Sequence, residues 1–121
     1  GVRNAAVIFS STGEELGRYY KRLLFGPWEK ETFTPGRHVT RFEVGGLNVG
    51  VLICYDVEFP ELVREEAQAG ADLVVVPTAL MSPHDRIARQ LVPVRAMENQ
   101  LFLGYANRTG TEHGLNFVGL S

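Results

Sequence analysis

The stretch LNVGVLICYDVEFPELV, residues 47–63, decides the fold of this chain. Its first half is an apolar run typical of a buried strand, and Pro60 in its second half suits the first turn of a helix. Cys54, the only cysteine of the chain, stands at the corner between them. A thiol at such a corner lies near the positive end of the helix dipole and near unpaired backbone N–H groups. We therefore expect a lowered pKa at Cys54 and an oxyanion site beside it, the alternative being a small buried residue at a strand end.

Strand and helix signals alternate along the whole chain. Two hairpins are predicted where apolar strands flank a short turn, at 4–9 with 16–20 and at 38–44 with 47–53. Helices are predicted at 59–69 and 82–100, the second capped by residues 82–85 and kinked at Pro93. Buried strands are predicted at 72–77 and 101–106, the first covered on both faces. This order predicts an α/β layered fold.

Residues 21–36 are predicted to form a loop, because they contain two prolines and two glycines. We expect Phe25, Trp28 and Phe33 to pack beneath it. Strand-like sequence begins almost at the first residue, and another strand-like run stops at the last. We therefore expect residues 1–121 to be the central part of a single domain that is cut at both ends.

The composition argues against several classes of protein. The net charge is −2, and no apolar run approaches the length of a membrane span, so neither a nucleic acid nor a membrane is an expected partner. A single cysteine excludes an internal disulfide and favours a reducing compartment, which predicts a cytoplasmic location. His38, His84 and His113 lack the spacing of metal ligands, and we expect neither a metal nor another cofactor.

Five short motifs occur in one order along the chain. They are YYKRLLFG (19–26), EKETFTPG (29–36), GVLICYDVEFPE (50–61), RAMEN (95–99) and ANRTG (106–110). Together they closely resemble the carbon–nitrogen hydrolases of the nitrilase superfamily, over essentially the whole chain. The resemblance implies a four-layer α-β-β-α sandwich that this chain covers only in part. It also implies a homodimer or a larger homo-oligomer.

The resemblance assigns the main chemical roles. Cys54 would be the nucleophile that forms a thioester with the acyl part of the substrate. Lys21, with the backbone N–H of Tyr55, would stabilise the negative charge that develops on the carbonyl oxygen. Glu29 matches a further carboxylate that contacts this lysine, and it fits the motif better than its neighbour Glu31.

The resemblance also implies supporting residues. Asp56 and Arg64 would form an ion pair that holds the nucleophile corner, the alternative being a helix-start acid and a solvated arginine. The loop after the strand at 72–77 is where α/β sheets place residues that contact ligands. The candidate pocket residues there are Thr78, Leu80, Met81 and His84, although leucine and methionine at such positions are often core residues.

The chain departs from the family pattern in two respects. The family's general base is a glutamate before the first strand seen here, and no residue of this chain matches it. We therefore expect the base outside this chain and expect the chain alone to be inactive. Leu23 and Tyr20 stand where many relatives carry histidine and arginine, which affects the positioning of the substrate.

The residues after the nucleophile favour one activity. The pair Tyr55-Asp56 resembles the residues found at this position in amidases more than those found in enzymes that hydrolyse nitriles. We predict an amidase that converts a small carboxamide to an acid and ammonia. The alternatives are an N-carbamoyl amide hydrolase and an inactive relative that only binds or assembles. The unmatched glutamate favours the inactive interpretation for the chain itself, whereas Lys21, Glu29 and Cys54 favour an enzyme for the complete protein.

Overall fold

The computed structural model describes residues 1–121 as a mixed α/β fold, as predicted. A short 3₁₀ turn at Cys54–Glu58 follows the fourth strand, and a π turn at Ile87–Leu91 precedes the last helix. The strands and helices are β1 (Ala5–Phe9), β2 (Glu15–Tyr20), α1 (Gly26–Thr32), β3 (Arg41–Val44), β4 (Leu47–Val51), α2 (Pro60–Gln68), β5 (Leu73–Thr78), α3 (Val92–Asn99), β6 (Phe102–Asn107), β7 (Thr109–Glu112) and β8 (Leu115–Val118).

The central sheet has the strand order β3-β4-β5-β6. β3 and β4 form the predicted hairpin, and Gly45 and Gly46 both adopt the positive φ that its tight turn requires. β4, β5 and β6 are parallel, so each connection must cross over the sheet, and α2 and α3 lie in these two crossovers. β1 pairs with β2 as predicted, and β7 with β8, in two separate antiparallel sheets. The parallel arrangement brings the carboxyl ends of β4, β5 and β6 to one edge.

The core lies between the central sheet and the two crossover helices. Gly50 of β4 faces α2 so closely that a Cβ on it would stand 2.5 Å from the carboxylate of Glu66. Val74 and Val76 of β5 are fully buried, whereas Leu73 and Val75 are only half-buried. The prediction that this strand is covered on both faces is therefore wrong for this chain.

The predicted loop at 21–36 contains a short helix, α1. Proline stands in its first turn, where its fixed φ favours a helix and its missing N–H costs nothing. The helix has seven residues and no buried side chain, so hydrophobic periodicity could not reveal it. Phe25 and Trp28 are 41% and 67% exposed, so the expectation that they pack beneath the loop is wrong.

The second predicted helix begins later than expected. Ser82 caps no helix, because the helical conformation begins several residues after it. Its N–H donates to the carbonyl of Asn116, and residues 81–84 form a turn. The helical conformation begins with the π turn, in which the N–H of Val92 donates to Ile87 five residues earlier. Pro93 has no N–H that could donate to the carbonyl of Arg89 in an α-helix. The kink predicted at this proline therefore takes the form of the π turn, which is wider than an α-helical turn.

Large apolar side chains remain at the surface of the chain. Phe102 is 74% exposed, and Met97 is 65% exposed. Apolar exposure of this kind is typical of surfaces that pack against further structure. None of the helices has both the length and the apolar character that a membrane crossing requires.

Candidate active site

The corner after β4 holds Cys54 in a strained conformation. The chain is extended up to Ile53, and Cys54 then adopts a φ of +48°, in the left-handed region that residues with a Cβ disfavour. Such strain persists only where the surrounding structure enforces it, and it is common at functional sites. The backbone N–H groups of Tyr55 and Ala79 lie against the half-buried thiol. The corner therefore presents a sulfur atom flanked by two backbone donors.

A buried ion pair faces this corner. Lys21 directly follows β2 and its side chain is 1% exposed. Its Nζ donates to both carboxylate oxygens of Glu29, at 2.9 and 2.7 Å, and the N–H of Phe25 donates to the same carboxylate at 2.6 Å. Glu29 lies in the first turn of α1, so the helix that the sequence did not predict positions this carboxylate. Lys21 and Glu29 are thus in contact, as the resemblance implies.

The pKa of the Cys54 thiol is raised, not lowered as the sequence predicts. Burial has the largest effect, because it disfavours the thiolate. The backbone N–H of Ala79 and the cation of Lys21 act in the opposite direction, but Glu29 offsets part of the lysine charge. The turn after the thiol has only five residues, so its dipole is short. Attack by this thiol therefore requires a group that accepts its proton.

Asp56 holds the corner together, but not through Arg64. Its fully buried carboxylate accepts hydrogen bonds from the hydroxyl of Tyr19 at 2.8 Å, the N–H of Leu23 at 2.8 Å and the N–H of Ile53 at 3.0 Å. Burial raises the pKa of this carboxyl, and the three donors oppose that shift. Asp56 thereby connects the segment that carries the lysine to the segment that carries the thiol.

The predicted ion pair between Asp56 and Arg64 is wrong. Arg64 is exposed on α2 and donates to the carbonyl of Glu98 at the end of α3. The eight-residue separation suggested a contact, but α2 directs the arginine away from the buried side of the turn, where Asp56 lies.

A second arginine supports the turn instead. The buried Arg95 of α3 donates to the carbonyls of Val57 and Glu58, at 3.1 and 2.8 Å, and to the carboxylate of Glu98 at 3.0 Å. It thereby satisfies carbonyl groups at the end of the 3₁₀ turn. Its motif was one of the five that carry the resemblance, but the sequence assigned it no role.

The four candidate pocket residues do not share one environment. Thr78 ends β5 and is half-buried, and its hydroxyl donates to the carbonyl of Val76. His84 is exposed, and its ring lies 6.4 Å from that of Phe25. Met81 is half-buried and forms a β-bridge with Phe117.

Leu80, the fourth of these residues, belongs to the hydrophobic core and is 5% exposed. Its assignment to the pocket is therefore wrong. Asn107 lies in the motif at 106–110, to which the sequence assigned no role, and its side chain binds both the N–H and the carbonyl of Leu80. This contact holds the segment that places the N–H of Ala79 against the thiol.

The chain holds no cluster of metal ligands, and one further cleft lies away from the corner. No group of three histidine, cysteine, aspartate or glutamate side chains is placed to hold a metal ion. A cleft of about 240 Å³ on the β1–β2 side shares no residue with the corner. Its lining residues are Arg3, Arg18, Tyr20, Arg37, His38 and Thr40. Arg18 already pairs with Glu15, and Arg3 donates to the carbonyl of Pro35.

Comparison with known proteins agrees with the motifs. The family model for carbon-nitrogen hydrolase matches residues 1–121. An (R)-stereoselective amidase from a Pseudomonas species is 40% identical over 89% of this chain and 40% of its own length. A nitrilase from Pyrococcus abyssi is 41% identical over 98% of this chain and 44% of its own length. The chain thus spans less than half the length of these relatives.

The fold agrees with a solved structure as well. A variant of the amidase from Nesterenkonia sp. AN1 superimposes with a TM-score of 0.91 and 46% identity, over 95% of this chain and 44% of that one. In that structure the acetamide moiety of fluoroacetamide is covalently added at the active-site cysteine. A further variant of the same amidase was solved in complex with butyramide. The family match over the whole length of the chain and the common fold lead to one conclusion: the chain belongs to the carbon-nitrogen hydrolase family.

Proposed function

We propose that the complete protein is an amidase that hydrolyses small carboxamides and that this chain supplies its nucleophile and its oxyanion site. The observation that carries the proposal is a strained cysteine, Cys54, on whose thiol the cation of the buried Lys21 acts. Amidases among the relatives, one of them with butyramide bound, favour a small amide as substrate.

In the proposed reaction Sγ of Cys54 attacks the carbonyl carbon of the amide. The oxygen becomes negatively charged, and the ammonium group of Lys21 and the backbone N–H of Tyr55 stabilise that charge. The C–N bond then breaks, the nitrogen leaves as ammonia after taking up a proton, and a thioester remains on the sulfur. Water attacks the thioester, which releases the acid and restores the thiol.

The proton of the thiol requires a base, since burial raises the pKa of Cys54. Glu29 is a poor candidate, because Lys21 and the N–H of Phe25 already occupy its oxygens. We assign Glu29 the role of holding the lysine in place, and we assign the base to the family's glutamate that has no counterpart in this chain. The 121-residue chain by itself should therefore not turn over substrate.

The test is release of ammonia from a panel of small amides, N-carbamoyl amino acids and nitriles. The protein expressed from the complete reading frame should hydrolyse amides, and its Cys54→Ala variant and the 121-residue chain should not. Mass spectrometry of the wild-type protein quenched during turnover should show the acyl group on the peptide that contains Cys54. Hydrolysis confined to carbamoyl compounds or nitriles would contradict the proposed substrate class, and no turnover at all would favour the inactive relative.

The role of Lys21 can be tested against a matched control variant on α1. Lys21→Met should lower kcat by about 100-fold or more, the usual effect of removing one oxyanion donor. Lys30→Met removes the same charge from an exposed position and should leave kcat within about twofold. Equal losses in the two variants would contradict the role given to Lys21.

A further inference from the structure

A basic cleft lies between β2 and the segment that leads into β3. Its volume is about 240 Å³, and three arginines and a histidine line it together with a tyrosine and a threonine, namely Arg3, Arg18, Arg37, His38, Tyr20 and Thr40. No carboxylate is among these residues, although the chain as a whole carries a net charge of −2. The proposed amidase mechanism uses none of them.

Three segments of the chain build the basic cleft, and hydrogen bonds hold them together. Arg18 and Tyr20 are two residues apart on β2, so their side chains lie on the same face of the strand. The hydroxyl of Thr40 donates to the carbonyl of Arg18 at 2.7 Å, which fixes the segment before β3. The N–H of Thr34 donates to the carbonyl of Val2 at 2.8 Å, which fixes the segment before β1. The cleft is thus a product of packing between these segments and not of one loop.

Contacts within the cleft orient one arginine and leave other donors unused. The guanidinium group of Arg3 lies 4.9 Å from the centre of the Tyr20 ring and donates to the carbonyl of Pro35 at 2.9 Å. Since a guanidinium group carries five N–H donors, most of those of Arg3 remain available. The side chains of Arg37 and His38 make no hydrogen bond and no salt bridge within the chain, and both residues are exposed.

The positive charge of the cleft is only partly balanced. Arg18 donates to both carboxylate oxygens of Glu15, at 2.5 and 2.8 Å, and this is the one carboxylate bonded to any of the three arginines. Three guanidinium groups against one carboxylate leave an excess of two positive charges before His38 is counted. Like charges around one cleft repel each other, and an anion bound between them would relieve that repulsion.

We propose that the basic cleft binds a phosphate group, either as the free ion or as part of a small molecule. A phosphate group carries about 1.5 to 2 negative charges at pH 7, which matches the excess of positive charge. Guanidinium groups also bind its oxygens in a bidentate manner. The cleft is smaller than the roughly 300–1,000 Å³ typical of pockets for drug-sized ligands, so it suits a single ionic group. The proposal goes beyond the amidase function and does not depend on it.

The test is isothermal titration calorimetry of the protein from the complete reading frame, at pH 7 and low salt. Inorganic phosphate should bind with a Kd of about 1 mM or lower, and acetate, which carries a single charge, should bind at least about tenfold more weakly. Glycerol 3-phosphate distinguishes the two sources of the group. Binding as tight as that of inorganic phosphate would assign the cleft to a phosphorylated small molecule, and weaker binding would assign it to the free ion.

Two variants and a matched control connect the binding to the cleft. Arg37→Gln removes a cation without a partner in the fold, so it should weaken phosphate binding by about tenfold and leave stability within about 0.5 kcal/mol. Glu15→Gln should tighten binding by about threefold, because it removes the carboxylate that competes for Arg18. The control is Arg86→Gln, which removes an exposed and equally unpaired arginine outside the cleft and should keep Kd within about twofold.

Three results would overturn the proposal. The first is the absence of phosphate binding to the protein from the complete reading frame. The second is an equal loss of binding in Arg37→Gln and Arg86→Gln, which would assign the binding to the general charge of the surface. The third is equal binding of acetate and phosphate, which would show that the cleft does not select a phosphate group. None of them bears on amide hydrolysis, which the release of ammonia tests separately.

Discussion

The sharpest stability prediction concerns Glu66, a carboxylate buried under the central sheet. Its side chain is 0% exposed, and neither carboxylate oxygen has a hydrogen-bond partner. The nearest cation is Arg41, whose Nε lies 4.0 Å from one oxygen. Gly50 has no side chain at the point where the carboxylate meets β4. Burial raises the pKa of Glu66 from an ordinary value of 4.5 to about 7.

The magnitude follows from this difference in pKa. One pKa unit corresponds to about 1.4 kcal/mol, so a carboxyl that moves from 4.5 to about 7 destabilises the folded state by about 3 kcal/mol once it is ionised. Between these two pH values the folded state binds more protons than the unfolded state does. The contribution of Glu66 to the free energy of unfolding is therefore greatest below about pH 4.5 and is lost as the pH rises through about 7.

Glu66→Gln keeps the shape of the side chain and removes its ionisation. At pH 8 we expect the variant to be more stable than the wild type by about 3 kcal/mol, a difference that already includes the attraction of the ionised carboxylate to Arg41. At pH 4.5 the difference should be close to zero. The assay is urea denaturation of the protein from the complete reading frame at several pH values between these two.

The control for this experiment is Glu61→Gln, the same change of charge at an exposed position of the same helix. Its stability difference from the wild type should stay within about 0.5 kcal/mol at every pH. A difference for Glu66→Gln that does not vary with pH would refute the reasoning. A wild type that is more stable than the variant at pH 8 would show that Arg41 compensates the buried charge.

Three further predictions concern the corner and the segment that faces it. Alkylation of Cys54 by iodoacetamide should have its pH midpoint above 9, because burial raises the pKa of the thiol. Glu29→Gln should shift that midpoint downward, because the charge of Glu29 raises the same pKa, and an upward shift would contradict this. Asp56→Asn should lower the free energy of unfolding in urea by about 2–4 kcal/mol, because an amide cannot accept all three of the buried hydrogen bonds; a loss below about 1 kcal/mol would contradict the role of Asp56. Gly36→Ala should cost about 2–3 kcal/mol and lower kcat, since a Cβ would stand 2.0 Å from the backbone oxygen of the residue before Lys21; unchanged stability and kcat would contradict this.

Much of the fold could be predicted because its signals are local. The glycine pair between β3 and β4 requires a tight turn wherever it occurs, and the alternation of apolar runs with helical patterns gives the order of β4, α2, β5, α3 and β6. Helix α1 could not be predicted in this way. It has seven residues and buries none of them, so it leaves no periodic pattern in the sequence.

The candidate site likewise has features that the sequence predicts and features that it does not. The identity of Cys54, Lys21 and Glu29 could be inferred from motifs, because each lies in a short stretch with a characteristic spacing. The partner of Asp56 could not be inferred, because its hydroxyl donor, Tyr19, lies 37 residues away. A contact of that range depends on how two segments pack and not on their spacing along the chain.

By itself, the sequence determined the order of most strands and helices and which side chains are the candidates for the chemistry, because propensity, turn residues and motifs act over a few neighbouring positions. Only the tertiary structure decided how those side chains behave. Burial raised the pKa of Cys54 where the local helix argument predicted the opposite. Burial likewise raised the pKa of Glu58, which packing leaves only half-exposed. Desolvation and long-range contacts set these properties, and both depend on atoms that are distant in the sequence.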